Sequence, residues 1–355
     1  MSSTPMTGTL LLADLTGYTA YLSGSEIEHA PMIAGDLLET IVGRLEPPFR
    51  LSKFEGDAAF LYVEDGRADP SLQLDAIEAA YFSFRRRLRS IDAATACDCN
   101  SCRLAPRLDL KLFVHHGQFV VSAIAGRDEL AGSDVILAHR LLKGAAASTR
   151  RAGFVEFTAA AATALGVADD GAAAHLTETF DHVGTVDATV VDLDARWTTE
   201  RDVRRVELDA SDTLLDIAAL LPAPPADCWA YLTSPKLRAR WEGPISFAET
   251  SPTGRRGVGT TTECVTGRLA TLEEVVDWQP YDHVAWRLRL GGSGPIDASA
   301  DLEGVADGTR LSLRWARPSG ADSPELVEAA AARREAIDRL IAVLGRADGR
   351  EEVVA

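Results

Sequence analysis

Two acids and three thiols are the residues of this chain whose types and spacing suggest chemistry. Asp14 ends the apolar run of "LLLADLTGYTAYLS" (10–23). An ionised carboxylate at the end of a buried strand costs several kcal/mol unless it reaches solvent or meets a cation. Asp57 lies in "KFEGDAAF" (53–60), where a tight turn joins two strands. If the first strand pairs with that hairpin, the two carboxylates converge. Such a pair suits hard divalent cations, which activate a hydroxyl and stabilise phosphoryl oxygens. Taken alone, Asp residues beside turns are more often caps or surface turn residues. The thiols are Cys97, Cys99 and Cys102 in "ACDCNSC". They read as a zinc clip or as a reduced cysteine loop. A closed zinc site needs four ligands, so the fourth would have to be His115, His116 or a residue of another chain.

The elements that must position these groups fall into two units. At 355 residues the chain has room for two or three domains, with the composition of a soluble globular protein: 46% hydrophobic and 25% charged. No apolar run reaches the roughly 18–20 residues of a membrane span, and the N-terminus lacks a basic start before an apolar core, so a cytoplasmic protein is expected. The net charge of −17 argues against nucleic acid as a partner. The one dense basic run, "FRRRLRS" (84–90), reads as a solvated helix end.

In the first half, "GTLLLADLT" (8–16) reads as a strand and 30–46 as an amphipathic helix. Residues 49–64 read as a hairpin turning at "EGD", and 108–126 as a second hairpin turning at "HHG". A helix over 133–148, capped by Ser133 or Asp134, and a strand over 185–194 complete an α+β pattern. A charged connection (195–207) leads to a short helix within 220–241. Five strands follow, "TTTECVTG", "ATLEEVVDWQ", "HVAWRLRL", "IDASADLEGV" and "GTRLSLRWA", and then an Ala-rich helix opened by Ser323-Pro324. That order suggests a sheet gripping a long helix around a cavity.

Four motifs in order carry a resemblance over the first unit. "LLADLTGYT", "KFEGDAAF", "VHHG" and "DELAGSDVILAHRL" resemble the motifs of class III adenylate and guanylate cyclases. The resemblance implies a ferredoxin-like cyclase domain over 8–198 and a homodimer with sites shared between chains. It implies Mg2+ or Mn2+ on Asp14 and Asp57, and an adenine contact at Lys53 with Glu129 as its acidic companion, so that ATP is favoured. It also implies a transition-state role for Arg140, and a triphosphate cradle in the backbone of the turn at Leu15, Thr16, Gly17, Tyr18 and Thr19. Two departures argue for the alternative of a weak or inactive nucleotide sensor. Ile136 stands where the family has a ribose-orienting Asn, and no lysine is found near 182–190 for the triphosphate. "VILAHRLLKG" and the cysteine loop also resemble a smaller, uncharacterised branch, the DUF2652 type. There His139, Arg140 and Lys143 would form a basic site, although a helix histidine and a solvated lysine are the simpler readings.

Residues 208–346 resemble the Bet v 1-like superfamily, also called START-like, SRPBCC or polyketide cyclase-like. The carrying residues are "PAPPADCWAYLTSPKLRARWEG", "GRRGVGTTTECV", "EEVVDWQP" and "DGTRLSLRW". The resemblance implies a helix-grip domain with a small hydrophobic ligand in its cavity. Trp229, Trp241, Trp278, Trp286 and Trp315 either line that pocket or, more simply, form core. A third reading, an enzyme acting on a hydrophobic carbonyl compound, finds no acid–base pair, because His283 reads as a turn residue beside Asp282.

Overall fold

The computed structural model describes residues 4–94, 99–124, 127–144, 153–167, 173–200, 206–243, 246–252, 255–266, 269–290, 294–318 and 324–346. The chain divides into two compact units, 1–202 and 203–355.

In the first unit β1 (Met6–Thr16) is flanked on both edges, by β3 (Ala58–Glu64) and β4 (Asp109–Ile124). Leu10, Leu11, Leu12 and Ala13 are fully buried in succession, so both faces of this central strand are covered, which is why its run is apolar without alternation. With β2 (Arg50–Glu55), β5 (Arg127–Ala131), β6 (Phe154–Thr158), β7 (Ala174–Phe180) and β8 (Gly184–Asp192), the sheet runs β2-β3-β1-β4-β6-β8-β7, and β5 pairs with the far end of β4. Among the described residues, β4 and β6 form the one parallel pair. Among the described residues, the α-helices of this unit are α1 (Tyr18–Gly24), α2 (Ala30–Leu45), α3 (Pro70–Ala94), α4 (Asn100–Leu104), α5 (Ser133–Leu141), α6 (Ala159–Leu165) and α7 (Leu193–Glu200). α2 buries Ala34, Leu37, Ile41 and Leu45, the stripe its spacing predicts. The mixed helix and strand content makes this an α+β unit.

Three expectations need correction. The "HHG" segment is not a hairpin turn: β1 pairs with β4 without interruption from Thr16 opposite Asp109 to Met6 opposite Phe119, so His115, His116 and Gly117 stay in the ladder. Neither Ser133 nor Asp134 is the N-cap of α5; Gly132 is. Asp134 is used elsewhere, its Oδ2 accepting the Gln118 N–H at 2.6 Å. A Cβ on Gly117 would lie 2.5 Å from that carboxylate, so close docking of α5 on β4 is what requires this glycine. The connection from 195 opens in α7, whose Trp197 is buried, rather than as an exposed linker.

The second unit is a seven-stranded antiparallel sheet made of β9 (Thr213–Leu221), β10 (Ser246–Thr250), β11 (Thr261–Thr266), β12 (Leu269–Gln279), β13 (His283–Leu290), β14 (Ile296–Val305) and β15 (Gly308–Ala316). Its order is β10-β11-β12-β13-β14-β15-β9. Helices α8 (Pro225–Thr233) and α9 (Pro235–Arg238) follow β9, and α10 (Pro324–Arg346) ends the unit. Sequence reasoning found the five strands β11–β15 and missed the two edges. The Ser323 cap of α10 lies outside the described residues. The long helix lays Leu326, Ala330, Ile337, Leu340 and Leu344 inward, the helix-grip arrangement.

Candidate functional site

β1 delivers Asp14 to the place where β3 begins. Asp14 stands opposite Ala58 and Lys111 in the two ladders, and the Leu15 N–H donates to the Asp57 carbonyl at 3.2 Å. That bond holds the turn carrying Asp57 against the end of β1, so the two acids are brought together. Burial, and then the charge of Asp57, push the Asp14 carboxyl up to about 6, while Lys111 pulls it down. Beyond Asp14 the chain turns at Gly17, which has φ 88° and opens α1. The Thr16 hydroxyl there is buried and makes no hydrogen bond.

A second group assembles around β2. A bulge between Leu51 and Lys53 re-aims the strand. Lys53 Nζ lies 2.8 Å from Glu129 Oε2 on β5 and 3.1 Å from Glu55 Oε1. His139 of α5 sits 3.4 Å from Glu55 Oε2 and packs its ring on Phe60, with centroids 4.8 Å apart. Burial holds the imidazole below its ordinary pKa, with Glu55 opposing. Arg140 is half-buried on the same helix, Ile136 one turn earlier is 55% exposed, and Lys143 is exposed. Among the described residues, no hydrogen bond or ion pair joins Asp14 and Asp57 to the Lys53 group or to Arg140.

The thiols have a different partner from the one the sequence suggested. One ring nitrogen of His29 and the Sγ atoms of Cys99 and Cys102 lie within 4.8 Å of one another. Cys97 lies outside the described residues. His115 and His116 are engaged elsewhere. His115 is buried, with Nδ1 2.9 Å from Thr158 Oγ1 and Nε2 3.3 Å from Asp134; His116 Nε2 is 3.0 Å from Asp65. Sequence reasoning passed over His29, which is far from the thiols in the chain. It also passed over Glu156, a buried acid in β6 whose carboxyl is pushed up to about 7 by burial and by Glu178. The lone acid inside "FVEFT" was the available signal for the latter.

In the second unit the tryptophans are mostly core. Trp229 meets Trp278 edge-on at 4.7 Å, and the Trp241 Nε1 donates to the Tyr231 carbonyl at 2.8 Å. Trp229, Trp241, Trp278 and Trp315 are buried, and Trp286 is half-buried. His283 is not a turn residue. It opens β13, buried, with Nδ1 2.8 Å from Asp301 and Nε2 3.6 Å from Asp277. Arg238, also buried, is gripped by Glu242 and Glu273, and Arg333 of α10 joins the same group.

These features define a two-unit α+β protein, a sheet domain with an acid pair at its strand ends followed by a helix-grip domain. The chain belongs to the family of the uncharacterized protein Rv2561/Rv2562 of Mycobacterium tuberculosis (strain ATCC 25618 / H37Rv), with 31% identity over 157 residues, 44% of this chain and 72% of that protein. Residues 34–150 match the family "Protein of unknown function (DUF2652)", and residues 215–345 match "Polyketide cyclase / dehydrase and lipid transport". Among solved structures, similarity is found to a bacterial light-regulated adenylyl cyclase, at 12% identity and TM-score 0.43, covering 54% of this chain and 53% of that one. The chain thus spans about half the length of that protein. The adenylyl cyclase CyaB from P. aeruginosa is similar at 17% identity and TM-score 0.40, covering 54% of this chain and 97% of that one. Among the described residues no helix is long and apolar enough to cross a membrane.

Proposed function

We propose that residues 8–198 form a nucleotidyl cyclase-like domain that binds a purine nucleoside triphosphate, ATP favoured, with Mg2+ or Mn2+ on Asp14 and Asp57. The observation that carries this reading is the acid pair. A carboxyl raised to about 6 beside a second carboxylate, even with Lys111 nearby, has too little positive charge for both to ionise comfortably, and a divalent cation supplies it. Oxygen-only donors suit Mg2+ or Mn2+ rather than a soft metal. When bound, such ions polarise phosphoryl oxygens and lower the pKa of a coordinated hydroxyl. The chain's own residues would do the rest. The backbone of Thr16, Gly17 and Tyr18 cradles phosphate oxygens, and the orphaned Thr16 hydroxyl is an additional donor there. Lys53, fixed by Glu129, presents a donor to the base, and the Arg140 guanidinium neutralises charge that develops in transfer.

No hydrogen bond or ion pair joins the acid pair to Lys53 or Arg140 among the described residues, and we assign the complete site to a symmetric homodimer acting in the cytoplasm. Purified full-length protein given ATP or GTP with Mn2+ should yield cyclic nucleotide by mass spectrometry, and Asp57→Ala should not. Equal product from both would remove Asp57 from the site.

The exposed, apolar Ile136 favours a second reading, a sensor that binds nucleotide without efficient turnover. Nucleotide and Mn2+ would then raise the melting temperature of the wild type, and not of Asp57→Ala, with no product formed. For residues 208–346 we propose a small hydrophobic ligand, supported by the match to the polyketide cyclase and lipid transport family.

A further inference from the structure

One helix separates the Gly17 turn from the thiol cluster. After α1 the chain passes through Glu26, whose carboxylate accepts the Asn100 N–H at 3.1 Å, the Ser101 N–H at 3.0 Å and the Ser101 hydroxyl at 3.1 Å. Those bonds draw the α1–α2 loop onto the start of α4. They deliver His29, at the N-cap of α2, to the thiols: its Nδ1 is 3.3 Å from Cys99 Sγ. Cys99 and Cys102 are held as a pair by the turn between them, with the Cys102 backbone N–H donating to Cys99 Sγ at 3.4 Å.

The spacing suits one ion. Metal–sulfur bonds of about 2.3 Å and metal–nitrogen bonds of about 2.0–2.1 Å at a tetrahedral centre place the donor atoms roughly 3.5–3.8 Å apart. The three donors here, all within 4.8 Å of one another, need only a slight closing to reach that geometry. Two sulfurs and an imidazole form a soft set, unlike the oxygen donors of Asp14 and Asp57. Tyr21 of α1, the helix that leads into this loop, is left unsatisfied as well. Its ring is buried and its hydroxyl makes no hydrogen bond.

We propose that His29, Cys99 and Cys102 bind a zinc ion that staples α4 to the α1–α2 loop. Three donors leave one position of the tetrahedron for water or a further donor. The staple would stabilise the loop that follows α1, and α1 begins at the turn assigned to the triphosphate, so zinc would support that turn from its far end. The zinc assignment stands whether or not nucleotide binds.

The test uses the full-length chain purified under reducing conditions. Elemental mass spectrometry should find about one zinc per chain, and Co2+ exchanged into the site should give a thiolate-to-cobalt charge-transfer band. Cys99→Ser combined with Cys102→Ser should lose both. His29→Cys should keep the metal with a stronger band, which guards against mistaking misfolding for ligand loss. A chelator should lower the melting temperature of the wild type by several degrees and leave the double serine variant unmoved. Zinc-free protein giving no cobalt band, or zinc retained in the double serine variant, overturns the proposal.

Discussion

The two units bury charge in opposite ways. In the helix-grip unit, Glu242 is 6% exposed at its side chain, and two guanidinia, Arg238 and Arg333, hold its carboxyl down at about 2. In the first unit, Asp14 is partly buried beside another acid, and its carboxyl rises to about 6. Opposite charge outweighs burial in one case and, with Lys111 alone, falls short of it in the other. The Arg238 group is therefore a structural knot: Glu273 meets the same guanidinium, and Arg333 lies over the faces of Trp241 and Trp315. The Asp14 group is where the proposed divalent cation would supply the missing charge. A fold can hold either arrangement, but only the second has something to gain from a ligand.

The comparison breaks most directly at Arg238. Arg238→Ala removes the cation that both Glu242 and Glu273 contact, leaving them to Arg333 alone, and removing one partner of a buried pair costs about 3–5 kcal/mol. Chemical denaturation of the second unit should show a loss of that size; a loss below about 1 kcal/mol would mean that water already solvates the group.

Arg140→Ala leaves folding intact and removes a transition-state donor, which typically costs about 2.7–4 kcal/mol, or 100- to 1,000-fold in rate. If the cyclase reading holds, initial rates of cyclic nucleotide formation should fall by that factor with the melting temperature unchanged. A rate within threefold of wild type takes Arg140 out of the reaction.

The two acids should also give opposite pH slopes. Asp14 has a higher pKa folded than its ordinary 3.8, so the folded chain keeps a proton that the unfolded chain gives up, and stability falls as pH rises from about 4 through about 6. Glu242 has a lower pKa folded than its ordinary 4.5, so its contribution is present above that value and disappears as pH falls toward 2. Since Glu156 also titrates in the first unit, the informative quantity is the difference between wild type and Asp14→Asn in chelator. That difference should grow between pH 4 and 6 and then level, and Mn2+ should shrink it. A flat difference means that Asp14 reaches solvent freely.

The smallest effect belongs to the Lys53–Glu129 pair, whose side chains are 34% and 33% exposed. Ion pairs at such positions contribute about 0.2–1 kcal/mol, so Lys53→Met should barely move thermal stability while weakening ATP binding relative to GTP. A melting shift of many degrees would recast the lysine as structural.

Much of this was legible in the chain itself. The "EGD" turn forms where Gly56, with φ 67°, permits it, and β11–β15 follow from their alternation. The edges β9 and β10 were missed because an edge strand has one neighbour and a weaker apolar pattern, as the largely exposed β10 shows. "HHG" misled because a glycine between polar residues is an ordinary turn signal. The space it leaves is needed instead by Asp134, which belongs to another element.

What the sequence determined by itself was therefore local: which segments are strand or helix, where the acids and thiols stand along them, and which charges are present to be paired. Only the tertiary structure decided which of those groups meet. His29 reaches Cys99 across 70 positions because Glu26 pins the intervening loop, and His283 acquires Asp301 through the pairing of β13 with β14. The physical reason is that periodicity and turn chemistry act over a few residues, whereas a side chain's partner and its pKa depend on what the whole fold packs against it.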